Sequence, residues 1–93
     1  MPASSETTVQ DVWVKLPDDV DLHARPAADF VRTAMRFSCD VWVAAGEREV
    51  DAKSLLSVLA LGAKRGTSLR LRAHGAEASA ALDALAGTVA GLN

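Results

Sequence analysis

The sequence predicts an α+β fold: an open-faced two-layer sandwich with a four-stranded antiparallel sheet covered on one face by three helices (βαββαβα). Two patterns support this. Apolar and polar residues alternate in several short segments, which is typical of strands with one buried face. Other segments repeat apolar residues every three or four positions, as amphipathic helices do. Because such a sheet needs cover on one face only, three helices suffice for a two-layer domain.

The first strand and the first helix are predicted from residues 12 to 37. Val12, Val14 and Leu16 alternate with polar or exposed positions, and the proline at 17 with two aspartates ends the strand. A helix is predicted to follow and to end near Phe37. Its proposed buried positions are Ala27, Phe30, Val31, Ala34 and Met35, and its proposed outer positions are Asp29, Arg32, Thr33 and Arg36.

The rest of the chain adds a hairpin, two helices and a last strand. Residues 39–44 and 48–50 alternate around a turn at residues 45–47, which predicts a hairpin. Ser54 and Gly62 frame a compact apolar segment, as an N-cap serine and a C-terminal glycine do. Residues 68–73 alternate leucine with arginine and predict the fourth strand, and an apolar stripe from Ala78 to Leu92 predicts the last helix.

Composition excludes several classes of protein. The 93 residues, 49% of them hydrophobic and 24% charged, suit one small domain, which we place at residues 11–93 behind a flexible tail at residues 1–10. The net charge of −2 argues against nucleic acid as a partner, and no apolar stretch reaches the roughly 20 residues of a membrane span. Cys39 is the single cysteine and the N-terminus lacks a signal peptide, so we expect a cytoplasmic location. We also expect the chain to be a monomer.

His23 is the strongest candidate for a functional residue. Pro26 is tolerated only in the first turn of a helix, so His23 should stand at or just before a helix start. Free N–H groups at such an end receive phosphate, and a neutral imidazole nitrogen can attack phosphorus. Arg25 could add donors to the phosphoryl oxygens. From spacing alone, the alternative remains open that His23 is a loop histidine and Arg25 a solvated charge.

Three segments carry a resemblance to a known family. They are residues 22–31 (LHARPAADFV), residues 50–56 (VDAKSLL) and residues 61–66 (LGAKRG). Together they resemble HPr, the histidine-containing phosphocarrier of the phosphoenolpyruvate-dependent sugar phosphotransferase system. The similarity extends over nearly all of residues 11–92, and the family has the fold predicted above.

The resemblance implies roles for particular residues. His23 would take a phosphoryl group on Nδ1 from phosphorylated enzyme I and pass it to sugar-specific enzyme IIA proteins or domains, with Arg25 attending that group. Ser54 matches a serine that a dedicated kinase phosphorylates in some bacteria, where it acts on carbon catabolite regulation with a transcriptional regulator. Independently of the resemblance, Ser54 is also predicted to be the N-cap of the helix that it precedes. The partner-binding residues would be Leu55, Leu56, Leu59, Ala24 and Arg25.

The leucines leave two alternatives open, since they could equally pack in the core. The function also has alternatives. The chain could be a regulatory module controlled by phosphorylation of Ser54, with weak or no carrier activity, or a structural module with an unmodified His23. As a carrier it would be a substrate of phosphotransferases rather than an independent enzyme, and no cofactor or metal is expected.

Two positions depart from the family pattern. Glycine is common where Asp21 stands, and a small polar residue is common where Val20 stands. A negative Asp21 should repel phosphate and Val20 offers it no donor. Unless Asp21 points away into solvent, we therefore expect slower phosphoryl acceptance or a shorter-lived phosphohistidine than in a typical member. Asp18, Asp19 and Asp21 are interpreted as a solvated acidic turn rather than a metal site. His74 is interpreted as a turn residue.

Overall fold

The computed structural model describes residues 9–93, which form four strands and three helices. In chain order these are β1 Val9–Lys15, α1 Ala24–Ala34, β2 Asp40–Ala45, β3 Arg48–Asp51, α2 Leu55–Leu61, β4 Ser68–His74 and α3 Ala78–Ala90. The sheet has the order β1-β4-β2-β3 and every neighbouring pair is antiparallel. The predicted fold class and element order are therefore confirmed.

Alternation along the strands separates a helix-covered face from an open face. The inward positions of β4 are Leu69, Leu71 and Ala73, which are fully buried. Phe30 of α1 and Leu85 of α3 pack against this layer with no exposed surface. Burying a large apolar side chain stabilises the fold by about 1.5–3 kcal/mol, so the core between sheet and helices holds the domain together.

The open face of the sheet carries charged side chains and tryptophan. Arg72 Nε donates to Asp11 Oδ1 at 2.8 Å, and Arg70 Nη2 donates to Glu49 Oε2 at 3.1 Å. Trp13 on the edge strand β1 is 68% exposed. The alternation of apolar and polar residues thus correctly predicts a solvent-exposed face of the sheet.

Several boundaries differ from the sequence-based prediction. β1 begins at Val9, so two residues of the predicted tail pair with β4, while the rest of that tail lies outside the described residues. His74 is the last residue of β4 and pairs with Val9 and Asp40, so its interpretation as a turn residue is wrong. Strand pairing continues through it because both neighbouring strands extend that far.

The structure of α1 differs from the prediction in the burial of two residues. Thr33, predicted to be outer, is buried, because its hydroxyl donates to Asp29 O at 3.0 Å and lies 2.9 Å from the hydroxyl of Thr88 on α3. Met35, predicted to be buried, is 65% exposed because α1 ends at Ala34 rather than near Phe37. Asp29 and Arg32, two of the proposed outer positions, form an ion pair at 2.9 Å.

None of the helices between residues 9 and 93 is long and apolar enough to cross a membrane.

Candidate functional site: a histidine at an open helix start

His23 is the residue that immediately precedes α1. Its backbone is extended, with φ −143° and ψ 160°, and its N–H donates to Asp21 O at 2.9 Å. No side chain within residues 9–93 caps this helix start, and the imidazole is exposed. Pro26 is the third residue of α1, where its missing N–H costs nothing. The expected position of His23 is confirmed, with unpaired helix donors beside an accessible ring.

Ala24, the next residue, has an unusual backbone conformation. Its φ is +48°, which places a residue with a Cβ in the left-handed region. Such a conformation costs roughly 1–2 kcal/mol in a residue other than glycine. The strain is located at the junction where the chain turns from the extended His23 into the helix.

A shallow depression of about 180 Å³ lies beside His23. Its lining comes from two loops, the one before α1 and the one after α2: Asp21, Leu22, His23, Gly62, Ala63 and Lys64. The loops are joined by a hydrogen bond of 2.9 Å from the Leu22 N–H to Ala63 O. Gly62 ends α2 with a φ of +65°, which turns the chain towards His23 without the cost that a Cβ would carry.

Asp21 forms an ion pair with Arg65, so its negative charge is not left unpaired. Its Oδ1 accepts the Arg65 backbone N–H at 2.8 Å and the Arg65 Nε at 3.4 Å, and its Oδ2 accepts Nη2 at 3.4 Å. These bonds to Arg65 hold the pKa of the Asp21 carboxyl below its usual value. The expected repulsion of phosphate by Asp21 assumed an unpaired carboxylate, so the penalty on phosphoryl acceptance should be smaller than predicted.

Val20 does not face the site. It is 6% exposed and belongs to the hydrophobic core. Its lack of a hydrogen-bond donor therefore matters less for a phosphoryl group than the sequence comparison suggested.

Arg25 is exposed but borders a different hollow. That hollow, of about 490 Å³, lies between α1 and the end of α3 and is also lined by Arg32 and Arg36. Within the described part of the chain, Arg25 has no ion pair. Its guanidinium group is thus free to turn towards a partner or a phosphoryl group.

Helix α2, which packs beside α1, presents an apolar surface. Leu55 is 41% exposed and Leu56 is 79% exposed, whereas Leu59 is partly buried against the core. Of the two alternatives for these leucines, exposure holds for the first two and packing holds largely for Leu59. Ala24, the residue that follows His23, is also exposed.

Ser54 caps α2 as predicted. Its backbone is extended and its Oγ accepts the Ser57 N–H at 3.2 Å. The hydroxyl lies at the helix end from which Leu55 and Leu56 project. A change in charge at Ser54 would therefore occur directly beside the exposed leucines.

Sequence reasoning missed Lys64 and Arg65. Both stand in a loop that local patterns identify only as a turn. Arg65 bonds Asp21, 44 residues away, and Lys64 lines the same depression as His23. A signal was present, however. An aspartate where the family commonly has glycine favours a nearby cation, and Lys64 and Arg65 are two consecutive cations in this loop.

The fold and this site define a class: small open-faced sandwiches with an exposed histidine at an uncapped helix start. The family model PTS-HPr, described as the PTS HPr component phosphorylation site, matches residues 11–90. The chain belongs to the HPr family, the phosphocarriers of the phosphotransferase system.

Individual relatives agree with this assignment. The phosphocarrier protein HPr of Haloferax volcanii is 47% identical over 72 residues, covering 75% of this chain and 80% of the relative. The HPr-like protein Crh of Bacillus subtilis is 41% identical over 80 residues, covering 86% of this chain and 92% of Crh. A crystal structure of HPr from Thermoanaerobacter tengcongensis has a TM-score of 0.83 and 36% identity, covering 87% of this chain and 91% of that one.

Proposed function

We propose that this chain is a phosphocarrier that accepts a phosphoryl group on His23 from phosphorylated enzyme I and passes it to sugar-specific enzyme IIA components. The observation that carries the proposal is the exposed imidazole at a helix start that no side chain of the described residues caps. Such an end offers N–H donors and a partial positive charge to the phosphoryl oxygens.

The transfer is a displacement at phosphorus. The Nδ1 lone pair of neutral His23 forms the new N–P bond while the bond from phosphorus to the donor breaks, and its electron pair stays on the donor. The ring proton remains on Nε2. Negative charge spreads over the three phosphoryl oxygens in the transition state, where helix donors and the exposed Arg25 would stabilise it.

The exposed residues of α1 and α2 suit transient docking. Leu55 and Leu56 are exposed apolar contacts on α2, and Ala24 and Arg25 are an exposed small and an exposed charged residue at the start of α1. A carrier must release one partner before it meets the next, and a few exposed apolar residues with a charged rim favour such short-lived complexes. We propose cytoplasmic partners, a carrier that is a monomer, and no role as an independent enzyme.

The experiment is incubation with phosphoenolpyruvate and enzyme I, followed by mass spectrometry of the intact chain. We expect a gain of one phosphoryl group that is labile in acid, stable in base and absent from His23→Ala. A chain that stays unmodified under conditions that label a typical carrier would contradict the proposal.

A second candidate function is supported by the surroundings of Ser54 and by the similarity to Crh. We propose for this case that a serine kinase acts on Ser54 and that the modified surface then contacts a transcriptional regulator. A phosphate there adds about −1.5 to −2 charges at a helix start, beside Leu55 and Leu56. Kinase labelling of Ser54 with no labelling of His23 by enzyme I would favour this function over the carrier.

A further inference from the structure

We propose that Lys64 is a second cation for the phosphoryl group on His23, placed there by the ion pair between Asp21 and Arg65. This proposal rests on the proposed carrier function, because it assigns a binding residue to the group that His23 would hold. Lys64 would bind phosphoryl oxygens directly, while Asp21 and Arg65 would act as positioning residues.

The first argument is the way in which the two loops are fastened together. The Leu22 N–H donates to Ala63 O at 2.9 Å, and the Gly66 N–H donates to Pro17 O at 3.1 Å. These hydrogen bonds fix the chain on both sides of Lys64 relative to the segment that ends at His23. The Lys64 backbone therefore has little freedom to move away from the histidine.

The second argument is the depression that the loops enclose. His23 and Lys64 both line its volume of about 180 Å³, whereas Arg25 borders the separate hollow beside α3. A water molecule occupies roughly 30 Å³ of liquid, so there is room for a phosphoryl group and some of its hydration. Lysine binds phosphate as a point charge with three rotatable donors, which suits an open depression.

The third argument is the distribution of charge. Asp21 also lines the depression, and alone it would repel a phosphoryl group or pair with Lys64. Its carboxylate is instead bound by Arg65 through one backbone and two side-chain contacts. The charge of Lys64 contributes to lowering the pKa of the Asp21 carboxyl, but in the part of the chain that the structure describes Lys64 forms no ion pair, so its ammonium group can bind another anion directly.

Asp21 and Arg65 thus act as a unit. A glycine at position 21 would let the backbone approach the anion closely. In this chain Asp21 instead holds Arg65, and this holds the neighbouring Lys64 beside the depression. The lysine side chain thereby takes the place of the close backbone contact that glycine would allow.

The test measures the equilibrium between phosphorylated and free chain with enzyme I at a fixed ratio of phosphoenolpyruvate to pyruvate. A catalyst does not change an equilibrium, so weaker docking to enzyme I would leave this readout unmoved. We expect Lys64→Gln to lower the equilibrium constant roughly threefold to tenfold, the size of one exposed charge-assisted contact. Lys64→Arg should retain most of the wild-type value, because it keeps the charge.

The matched control is Lys15→Gln, which removes the same charge from a lysine that pairs with Asp18 and does not line the depression. The equilibrium constant of this control should stay within about twofold of the wild-type value. Equal equilibrium constants for Lys64→Gln and the wild type would overturn the role of Lys64. A wild-type chain that is never labelled on His23 would instead refute the carrier function, so the two failures are distinguishable.

The positioning role has its own test. Arg65→Ala should lower the same equilibrium constant, because it leaves the Asp21 carboxylate unpaired and releases the loop that carries Lys64. The double change Asp21→Ala with Arg65→Ala should recover the part of the loss that comes from the unpaired charge and keep the part that comes from positioning, so its constant should lie between those of Arg65→Ala and the wild type. Thermal unfolding of each variant shows whether it is folded. An Arg65→Ala chain that is folded and phosphorylated to the wild-type level would overturn the assignment of Asp21 and Arg65.

Discussion

Helices α1 and α2 pack beside each other but begin in different ways. At the start of α2, Ser54 Oγ accepts a backbone N–H, so the helix supplies its own cap. At the start of α1, His23 makes no such bond within the described residues, and Ala24 is held at a φ of +48°. A capped start contributes stability, whereas an open start keeps donors for a ligand at a cost in stability.

The same contrast extends to the side chains nearby. The start of α2 exposes two leucines, and the start of α1 exposes a histidine and an arginine. One end therefore suits docking and the other suits group transfer. The proposed docking and the proposed chemistry thus fall at two different helix starts, and the start of α1 lies beside the loop that follows α2.

The largest expected effect concerns Arg25 at the open start. Arg25→Ala should slow phosphoryl acceptance by about tenfold or more, because a hydrogen bond to a charged group contributes about 1.5–3 kcal/mol and each 1.36 kcal/mol is tenfold in rate. Rapid-quench labelling by enzyme I measures the rate. The control is Arg36→Ala, a cation further along the same hollow. Equal rates for the two variants would mean that the helix start does not use Arg25.

The next effect concerns the capped start. Ser54→Ala should lower the free energy of unfolding by about 1 kcal/mol, since the Ser57 N–H loses its acceptor. Urea denaturation measures it, with Ser79→Ala, an exposed position on α3, as a control that should change stability by less than about 0.5 kcal/mol. If both substitutions had the same small effect, the two helix starts would not differ in stability as described.

Strain at the open start predicts an effect of opposite sign. Ala24→Gly should leave the free energy of unfolding unchanged or raise it by up to about 1 kcal/mol, because glycine adopts a positive φ without a Cβ penalty. Ala28→Gly, inside α1, should instead lower it by about 1 kcal/mol. A loss of the same size in both variants would contradict the strain assigned to Ala24.

The smallest effect is a dependence of stability on pH. The pKa of Asp21 is lowered in the folded chain by its bonds to Arg65, so its stabilising contribution is full above the ordinary value of 3.8 and is lost as pH falls through the folded pKa. The stability difference between the wild type and Asp21→Asn should therefore shrink in acid, as measured by thermal unfolding from pH 6 downwards. A constant difference would show that Asp21 acts through something other than its charge.

Local patterns predicted the fold well because strands and helices leave their periods in the sequence. Residues 68–73 show the alternation of a half-buried strand, and the serine and glycine that frame α2 act at their own helix ends. Thr33 was misplaced because its burial depends on a hydrogen bond with Thr88, and no local pattern records a partner 55 residues away.

The residues of the site likewise divide into those that local sequence predicts and those that depend on contacts between distant segments. His23 and Pro26 could be placed from neighbouring residues, since both act within one helix turn. The pairing of Asp21 with Arg65 spans 44 residues and depends on how two loops meet, so it became visible only in the folded chain. The backbone strain at Ala24 likewise follows from packing, because alanine itself favours an ordinary helical φ.

The most direct test of the central claim is a ¹H–¹⁵N spectrum of the imidazole rings after labelling with phosphoenolpyruvate and enzyme I. The chain has two histidines, and His74 on the open sheet face serves as an internal reference. We expect the phosphoryl group on Nδ1 of His23 and an unchanged His74 ring. A phosphoryl group on His74, on Nε2 of His23, or on neither ring would contradict the account.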